Sequence, residues 1–172
     1  MLSWGKHDGI KINDINVVVI IASDTLATGE RDIKEDLSSG IIIEELKSMK
    51  ITKIRKIYSS DDKDELSGIL DNAIKTKIEL IIISGGTGLS NRDNSFEVLN
   101  AKCEKIMMGF GEEFRRKSIE EIGYKGMMSR ASAGITEKSV IFSLPGSKNA
   151  VRLGMKIISE IIYHIIEIMG DN

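Results

Sequence analysis

Four short stretches of this 172-residue chain carry the groups with which proteins handle phosphate: Ser23-Asp24-Thr25, Ser59-Ser60-Asp61-Asp62, Ser84-Gly85-Gly86-Thr87-Gly88 and Pro145-Gly146-Ser147-Lys148. Glycine has no side chain to block positive φ or the approach of a ligand to the backbone. The loop from Ser84 to Gly88 can therefore turn sharply and offer its N–H groups to an anion. It lacks the Gly-Lys-Ser/Thr ending of a P-loop, and Asn91 stands where the third glycine of G-x-G-x-x-G belongs, which disfavours a generic kinase or dehydrogenase. A plain tight turn is the other reading of the same glycines.

Asp93 follows in the same loop. Mg²⁺ favours one or two protein carboxylates, with substrate oxygens and water completing its shell, so Asp93 suits a magnesium ion bridging nucleotide phosphates. It also suits the N-cap of a helix around Phe96, and the two roles are compatible. Asp61 is expected to face the same crevice from a neighbouring strand, unless it caps the helix beginning near Lys63. Two carboxylates converging on a glycine loop favour metal-assisted phosphate chemistry. Pro145 to Lys148 opens a long helix, whose N-terminus presents unsatisfied N–H groups to an anion; in the simpler reading Ser147 is only its N-cap. Ser129 and Arg130 can reach the same ligand, although a lone arginine is more often a solvated charge.

The elements that must hold these groups are written in the apolar pattern. Asn16 to Ala22 is a continuous β-branched run without alternation, as in a parallel strand covered on both faces, and Ile54 to Tyr58 and Leu80 to Ile83 resemble it. Ile42, Ile43, Leu46 and Met49 recur at helical spacing between the first two runs, and Leu66, Ile69, Leu70, Ala73 and Ile74 do so between the second and third. Beyond them the sequence predicts a helical stretch near Phe96 to Met108 and another from Glu112 to Ile122, punctuated by Gly109, Gly111 and Gly123. Ser129 to Ile135 and Val140 to Leu144 read as a hairpin, and Asn149 to Met169 as one long helix.

Strands alternating with helices predict a three-layer, doubly wound α/β fold with a mostly parallel sheet and a small hairpin. Residues 16–170 would form a single domain after a polar lead-in, 1–15. Such sheets bind ligands at the carboxyl ends of their strands, and each of the four stretches follows a strand, so hydroxyls, carboxylates and glycines all fall on one edge.

Composition narrows the function further. Charged residues make up 29% and the net charge is −2, which gives no electrostatic footprint for nucleic acid. One cysteine, Cys103, and no zinc-like Cys/His spacing suit a reducing cytosol, with Cys103 a packed side chain. No apolar run is long enough to cross a bilayer, and the start has no signal-peptide pattern, so a cytoplasmic protein is expected. Trp4 is read as packing on the domain surface, and His7 and His164 carry no partner signature. The pairs Met107-Met108 and Met127-Met128 are assigned to core or contact surfaces.

Taken together, Asp61, S-G-G-T-G with Asp93 beyond it, G-F-G-E-E-F-R at 109–115, S-R-A at 129–131 and L-P-G-S at 144–147 resemble the MoaB/Mog family of molybdenum-cofactor proteins, closer to its MoaB branch. The resemblance spans roughly residues 16 to 170. It implies a molybdopterin-binding fold, a homo-oligomer (trimer or hexamer), and Mg-ATP-dependent adenylylation of molybdopterin ahead of metal insertion by a downstream molybdenum or tungsten insertase. The alternative within the family is a non-catalytic oligomer that carries the pterin to a partner. By motif, Asp61 and Asp93 match the essential aspartates, Gly85, Gly86, Thr87 and Gly88 the nucleotide and pterin loop, Ser129 a pterin-phosphate contact, and Pro145, Gly146 and Ser147 the second ligand loop. Ser23 joins them at the end of the first strand. The sequence departs from the pattern twice: Leu37 stands at the aspartate of D-x-S-G, with Asp36 one residue earlier, and Ser143 replaces an asparagine.

Overall fold

The computed structural model describes residues 14–30 and 32–170. The expectations for Trp4 and His7 lie outside the described residues. Six strands form one sheet in the order β2-β1-β3-β6-β5-β4. They are β1 (Asn16–Ala22), β2 (Lys53–Ser59), β3 (Leu80–Ser84), β4 (Lys105–Ile106), β5 (Ser132–Ile135) and β6 (Val140–Leu144). β2, β1, β3 and β6 run parallel, whereas β5 is antiparallel to both β6 and β4. The short helix α1 (Asp24–Ala27) follows β1, and α2 (Leu37–Ser48) and α3 (Lys63–Lys75) make the first crossovers. α4 (Ser95–Lys102), α5 (Met108–Ile122) and α6 (Lys148–Gly170) complete the chain.

Alternate residues of the central strands point into two separate cores, which is why their runs are apolar without a break. Val17, Val19, Ile21, Leu80, Ile82 and Phe142 pack with residues of α2, α5 and α6, including Ile42, Phe114 and Ile158. Val18, Ile20, Ile81, Ile83 and Ile141 face the other way, against Leu66 and Leu70 of α3 and Val98 and Leu99 of α4. The result is the expected three-layer α/β sandwich. No described helix is long and apolar enough to cross a membrane.

The register sets the edge that matters. Ala22 pairs with Ser59, Ile21 with Ser84, and Ser84 with Leu144, so β1, β2, β3 and β6 end level with one another. The loops after them leave from a common line, as the ligand-binding edge of a doubly wound sheet requires.

Two expectations need correction. The helical stretch predicted near Phe96 to Met108 is broken: α4 stops before Cys103, whose ψ of 135° is extended, and Lys105–Ile106 adds β4 to the sheet edge. Gly134 of β5 permits this, because a Cβ there would lie 2.6 Å from Cys103 Sγ. The next helix starts at Met108, not Glu112, so Gly109 and Gly111 lie inside α5. Gly111 is a packing residue, since a Cβ on it would come 2.7 Å from the Ala131 carbonyl. Gly123, with φ of 71°, does close the helix, and a 3₁₀ segment over Gly123–Met128 leads to β5.

The methionine pairs divide. Met107 packs against the core, whereas Met108, Met127 and Met128 are exposed. His164 lies on α6 beside Glu167, its Nδ1 3.7 Å from the carboxylate.

Candidate active site

The glycine loop is threaded between two strands. Gly85 N–H donates to the Leu144 carbonyl at 2.8 Å, and its φ of 112° brings the backbone so close to β1 that a Cβ would lie 2.1 Å from the Ala22 carbonyl. Gly86 continues at φ 63°, another left-handed conformation that favours glycine. Ser95, at the start of α4, buttresses both: its N–H donates to Gly86 O at 3.0 Å and its Oγ to Gly85 O at 2.7 Å.

Arg130 completes the loop's support, which corrects the reading of it as a solvated charge. Its backbone N–H donates to Thr87 O at 2.9 Å, Nε to Gly88 O at 2.8 Å and Nη2 to Asp93 O at 2.6 Å. Nη1 pairs with Glu97, and the guanidinium lies 5.6 Å from the centre of the Phe96 ring. A planar fork of donors suits such a clamp.

Neither aspartate serves as the helix cap that its sequence position allows. Asp62 caps α3, accepting from the N–H groups of Asp64 and Glu65 at 3.0 and 2.9 Å. Asn94 holds the N-cap position of α4, without a side-chain capping bond. Asp93 instead turns onto its own loop, where it accepts from the Ser90 N–H at 2.9 Å and the Ser90 hydroxyl at 2.6 Å. Burial pushes the Asp93 carboxyl up, but the bonds from Ser90 and Gly88 and the charge of Arg130 outweigh it and hold the group below the ordinary carboxylate range.

Asp61 is bonded to Asp24 across the two strand ends. Burial, and then the neighbouring Asp24 charge, push the Asp61 carboxyl above its ordinary value despite a backbone bond from Asp24 and the nearby Arg92; Asp93 adds to the upward push. Asp61 and Asp93 thus lie within electrostatic reach of each other. Asn94 connects their surroundings, its Nδ2 donating to the carbonyls of Asp61 at 3.0 Å and Arg92 at 3.1 Å. Among the described residues no three His, Cys, Asp or Glu side chains form a ready metal cage. This donor set fits an ion that keeps water and substrate oxygens, as Mg²⁺ does, and not a structural zinc.

Two cavities open at this edge. One, of about 300 Å³, is lined by Gly86, Thr87, Gly88, Asp93, Met128, Ser129, Pro145 and Gly146. The other, of about 430 Å³, is lined by Ser23, Asp36, Leu37, Ser38, Ser84, Gly146, Ser147 and Lys148 among others. Gly146 borders both. Gly85 is in neither lining, being packed against Ala22 and bonded to Leu144, and Asp61 is in neither as well. Ser147 also caps α6, with the Ala150 N–H 3.4 Å from its Oγ.

Asp24, Asp36, Ser38, Ser84 and Arg92 were not assigned from the sequence. Asp36 caps α2 through the Ser39 N–H at 3.0 Å and accepts from the Tyr58 hydroxyl at 3.0 Å, so the carboxylate one residue early fills the helix start while Leu37 stays exposed. Ser38 Oγ donates to the Gly146 carbonyl at 2.6 Å, which ties α2 to the second ligand loop. Ser84 is buried, and its Oγ meets no hydrogen-bond partner among the described residues. Ser143, the other departure, is fully buried opposite Ser132 and borders neither cavity.

A doubly wound sheet that gathers a glycine turn, two aspartates and a helix N-terminus on one edge defines an α/β binding protein for phosphorylated ligands. Residues 18–164 match the sequence model of a family described as "Probable molybdopterin binding domain", and this chain belongs to that family. It is 42% identical over 153 residues to a molybdopterin adenylyltransferase from Pyrococcus furiosus, covering 87% of this chain and 88% of that one. It is 35% identical over 161 residues to a probable molybdopterin adenylyltransferase from Methanocaldococcus jannaschii, covering 91% and 94%. The crystal structure of the tungsten cofactor synthesizing protein MoaB from Pyrococcus furiosus superposes with a TM-score of 0.79 at 40% identity, covering 89% of this chain and 95% of that one. The resemblance drawn from the motifs is borne out.

Proposed function

We propose that this chain is a molybdopterin adenylyltransferase acting in molybdenum- or tungsten-cofactor biosynthesis, with ATP and molybdopterin as substrates. The observation that carries the reading is one cavity, in which Gly86, Thr87, Gly88, Asp93, Ser129, Pro145 and Gly146 come together from three separate stretches of chain. Relatives at 42% and 35% identity that bear the activity's name support it.

The terminal phosphate oxygen of molybdopterin attacks the α-phosphorus of ATP in line. A new P–O bond forms, the bond from the α-phosphorus to the bridging oxygen breaks, and pyrophosphate leaves with that electron pair. Such a transfer needs alignment and charge neutralisation more than a protein nucleophile. The amides of Gly86 to Gly88 and the N-terminus of α6, behind Pro145 to Ser147, hold phosphate oxygens. Ser129 holds the pterin phosphate, and Ser23 and Ser147 serve the second cavity. Asp61 and Asp93 hold Mg²⁺, which supplies Lewis-acid stabilisation of the polyphosphate when bound. Asp93, kept charged by its loop bonds, is the better prepared of the two.

Residues 16–170 act as one unit in the cytoplasm, as a trimer or hexamer that delivers its product to a metal insertase. Exposed Leu89, Tyr124, Met127 and Met128, close to the site in sequence, support an assembly surface beside it. Incubating the protein with molybdopterin and labelled Mg-ATP tests the reading. Adenylylated pterin and pyrophosphate are the expected products; tight pterin binding without them would make the chain a carrier instead.

A further inference from the structure

The cavity of about 300 Å³ that holds Asp93 has glycines, hydroxyls, Met128 and Pro145 in its lining and no basic side chain. A polyphosphate entering it brings several negative charges toward Asp93, with Asp24 and Asp61 close by. One divalent ion does not balance that total, so the site calls for a cation at its rim. Two arginines lie in or against the Asp93 loop, and Lys148 lines the adjoining cavity. Arg130 is committed to the carbonyls of Gly88 and Asp93 and to Glu97.

Arg92 is differently placed. It directly precedes Asp93, and its backbone is anchored: its N–H donates to Ser90 Oγ at 3.3 Å, and its carbonyl accepts from the same Asn94 amide that bonds Asp61. Its side chain is 70% exposed and forms an ion pair with Asp24. Exposed ion pairs are weakly held and readily exchanged. The residue therefore combines a fixed root next to Asp93 with an arm that can be released.

We propose that Arg92 is a nucleotide-phosphate ligand, held on Asp24 in the free protein and passed to the polyphosphate when Mg-ATP binds. The inference rests on the reading of the Asp61–Asp93 crevice as the nucleotide seat. In the free protein the guanidinium offsets the crowded charges of Asp24 and Asp61. In the loaded protein the incoming polyphosphate, richer in negative charge and in acceptor oxygens than one carboxylate, takes it over. Asp24 is then the resting partner of Arg92, which gives up the arginine when the polyphosphate arrives and does not itself touch substrate.

Calorimetric titration of the full chain with Mg-ATP and with magnesium pyrophosphate tests this without requiring turnover. Arg92→Ala weakens both ligands by about tenfold or more, and Arg92→Lys, which keeps the charge but loses the fork, recovers part of the loss. Asp24→Asn binds ATP as tightly as the native protein or more tightly, because the arginine's competing partner has lost its charge. In the nucleotide-free protein, Arg92→Ala takes up Mn²⁺ more tightly, read by electron paramagnetic resonance, because a resident cation has been removed. Arg116→Ala, on the outer face of α5, leaves all these affinities unchanged.

Mg-ATP affinity within twofold of native in Arg92→Ala overturns the proposal. So does an equal loss of affinity in Asp24→Asn, which would make the pair a structural tie. If the native protein binds Mg-ATP but forms no adenylylated pterin, the adenylyltransferase reading fails while the role of Arg92 stands on the binding data. A native protein that does not bind Mg-ATP overturns both.

Discussion

Asp24 and Asp61 are bonded to each other twice, in opposite senses. The Asp61 N–H donates to Asp24 Oδ1 at 2.9 Å, and the Asp24 N–H donates to Asp61 Oδ2 at 3.3 Å. The residues follow β1 and β2, so the reciprocal pair joins the carboxyl ends of adjacent strands and fixes Asp61 where burial opposes its charge.

That position gives stability a definite dependence on pH. A carboxyl whose folded-state pKa is raised contributes stability that is fully present below its unfolded value and is lost as pH rises through the folded one. Asp61→Asn, which never acquires the charge, should therefore resist urea better than the native protein at neutral pH, with the gap closing in acid below the carboxylate range. Equal denaturation midpoints at neutral pH would remove burial as the dominant influence on Asp61.

Asp93 has the opposite sign. Its depressed pKa contributes stability present above the unfolded value and lost as pH falls through the folded one. Asp93→Asn keeps an acceptor for Ser90 but removes the charge, so AMP transfer should fall by about a hundredfold or more while pterin affinity stays near native. A turnover rate close to native in steady-state assays would refute the metal role assigned to this side chain.

Gly85 and Gly88 separate folding from chemistry within one loop. A Cβ at Gly85 meets the Ala22 carbonyl, which belongs to a central strand and cannot yield, so Gly85→Ala should cost about 3 kcal/mol or more in equilibrium unfolding. A Cβ at Gly88 would lie 2.8 Å from Asp93 Oδ2, a side-chain atom that can swing aside. Gly88→Ala should therefore unfold close to the native midpoint yet lose turnover. A stability loss in Gly88→Ala as large as in Gly85→Ala would show that the carboxylate has nowhere to go.

The layers and the functional edge were legible because both follow from local pattern. The unbroken apolar runs of β1 and β3 announce strands with a core on each side, and polar loops after successive parallel strands must share an edge whatever the details of packing. The contacts that shape the site were not legible, since they join residues far apart in sequence: 37 positions separate Asp24 from Asp61, and 42 separate Gly88 from Arg130. Nor does a two-residue strand such as β4 leave any periodicity to read. Gly109 and Gly111 look like helix breakers until Ala131 is seen packed against the second of them. At Asp61 and Asp93 the sequence allowed two roles each, and neighbours decided: Asp62 and Asn94 hold the two N-cap positions.

Cys103 offers a check on the sheet edge. Burial, helped by the Glu104 charge, pushes its thiol up to about 11, so at mildly alkaline pH only about a thousandth of it is thiolate. Alkylation by iodoacetamide should be slower than for a free thiol by about a hundredfold, and denaturant should restore the ordinary rate. Rapid labelling of the native protein would mean that β4 detaches from β5 easily.

Gly146 belongs to the walls of both cavities, and its carbonyl is tied to Ser38 at the head of α2. With hydrogen in place of a side chain, that residue sets only backbone between the two chambers, so ligands seated in both would approach each other across one peptide unit.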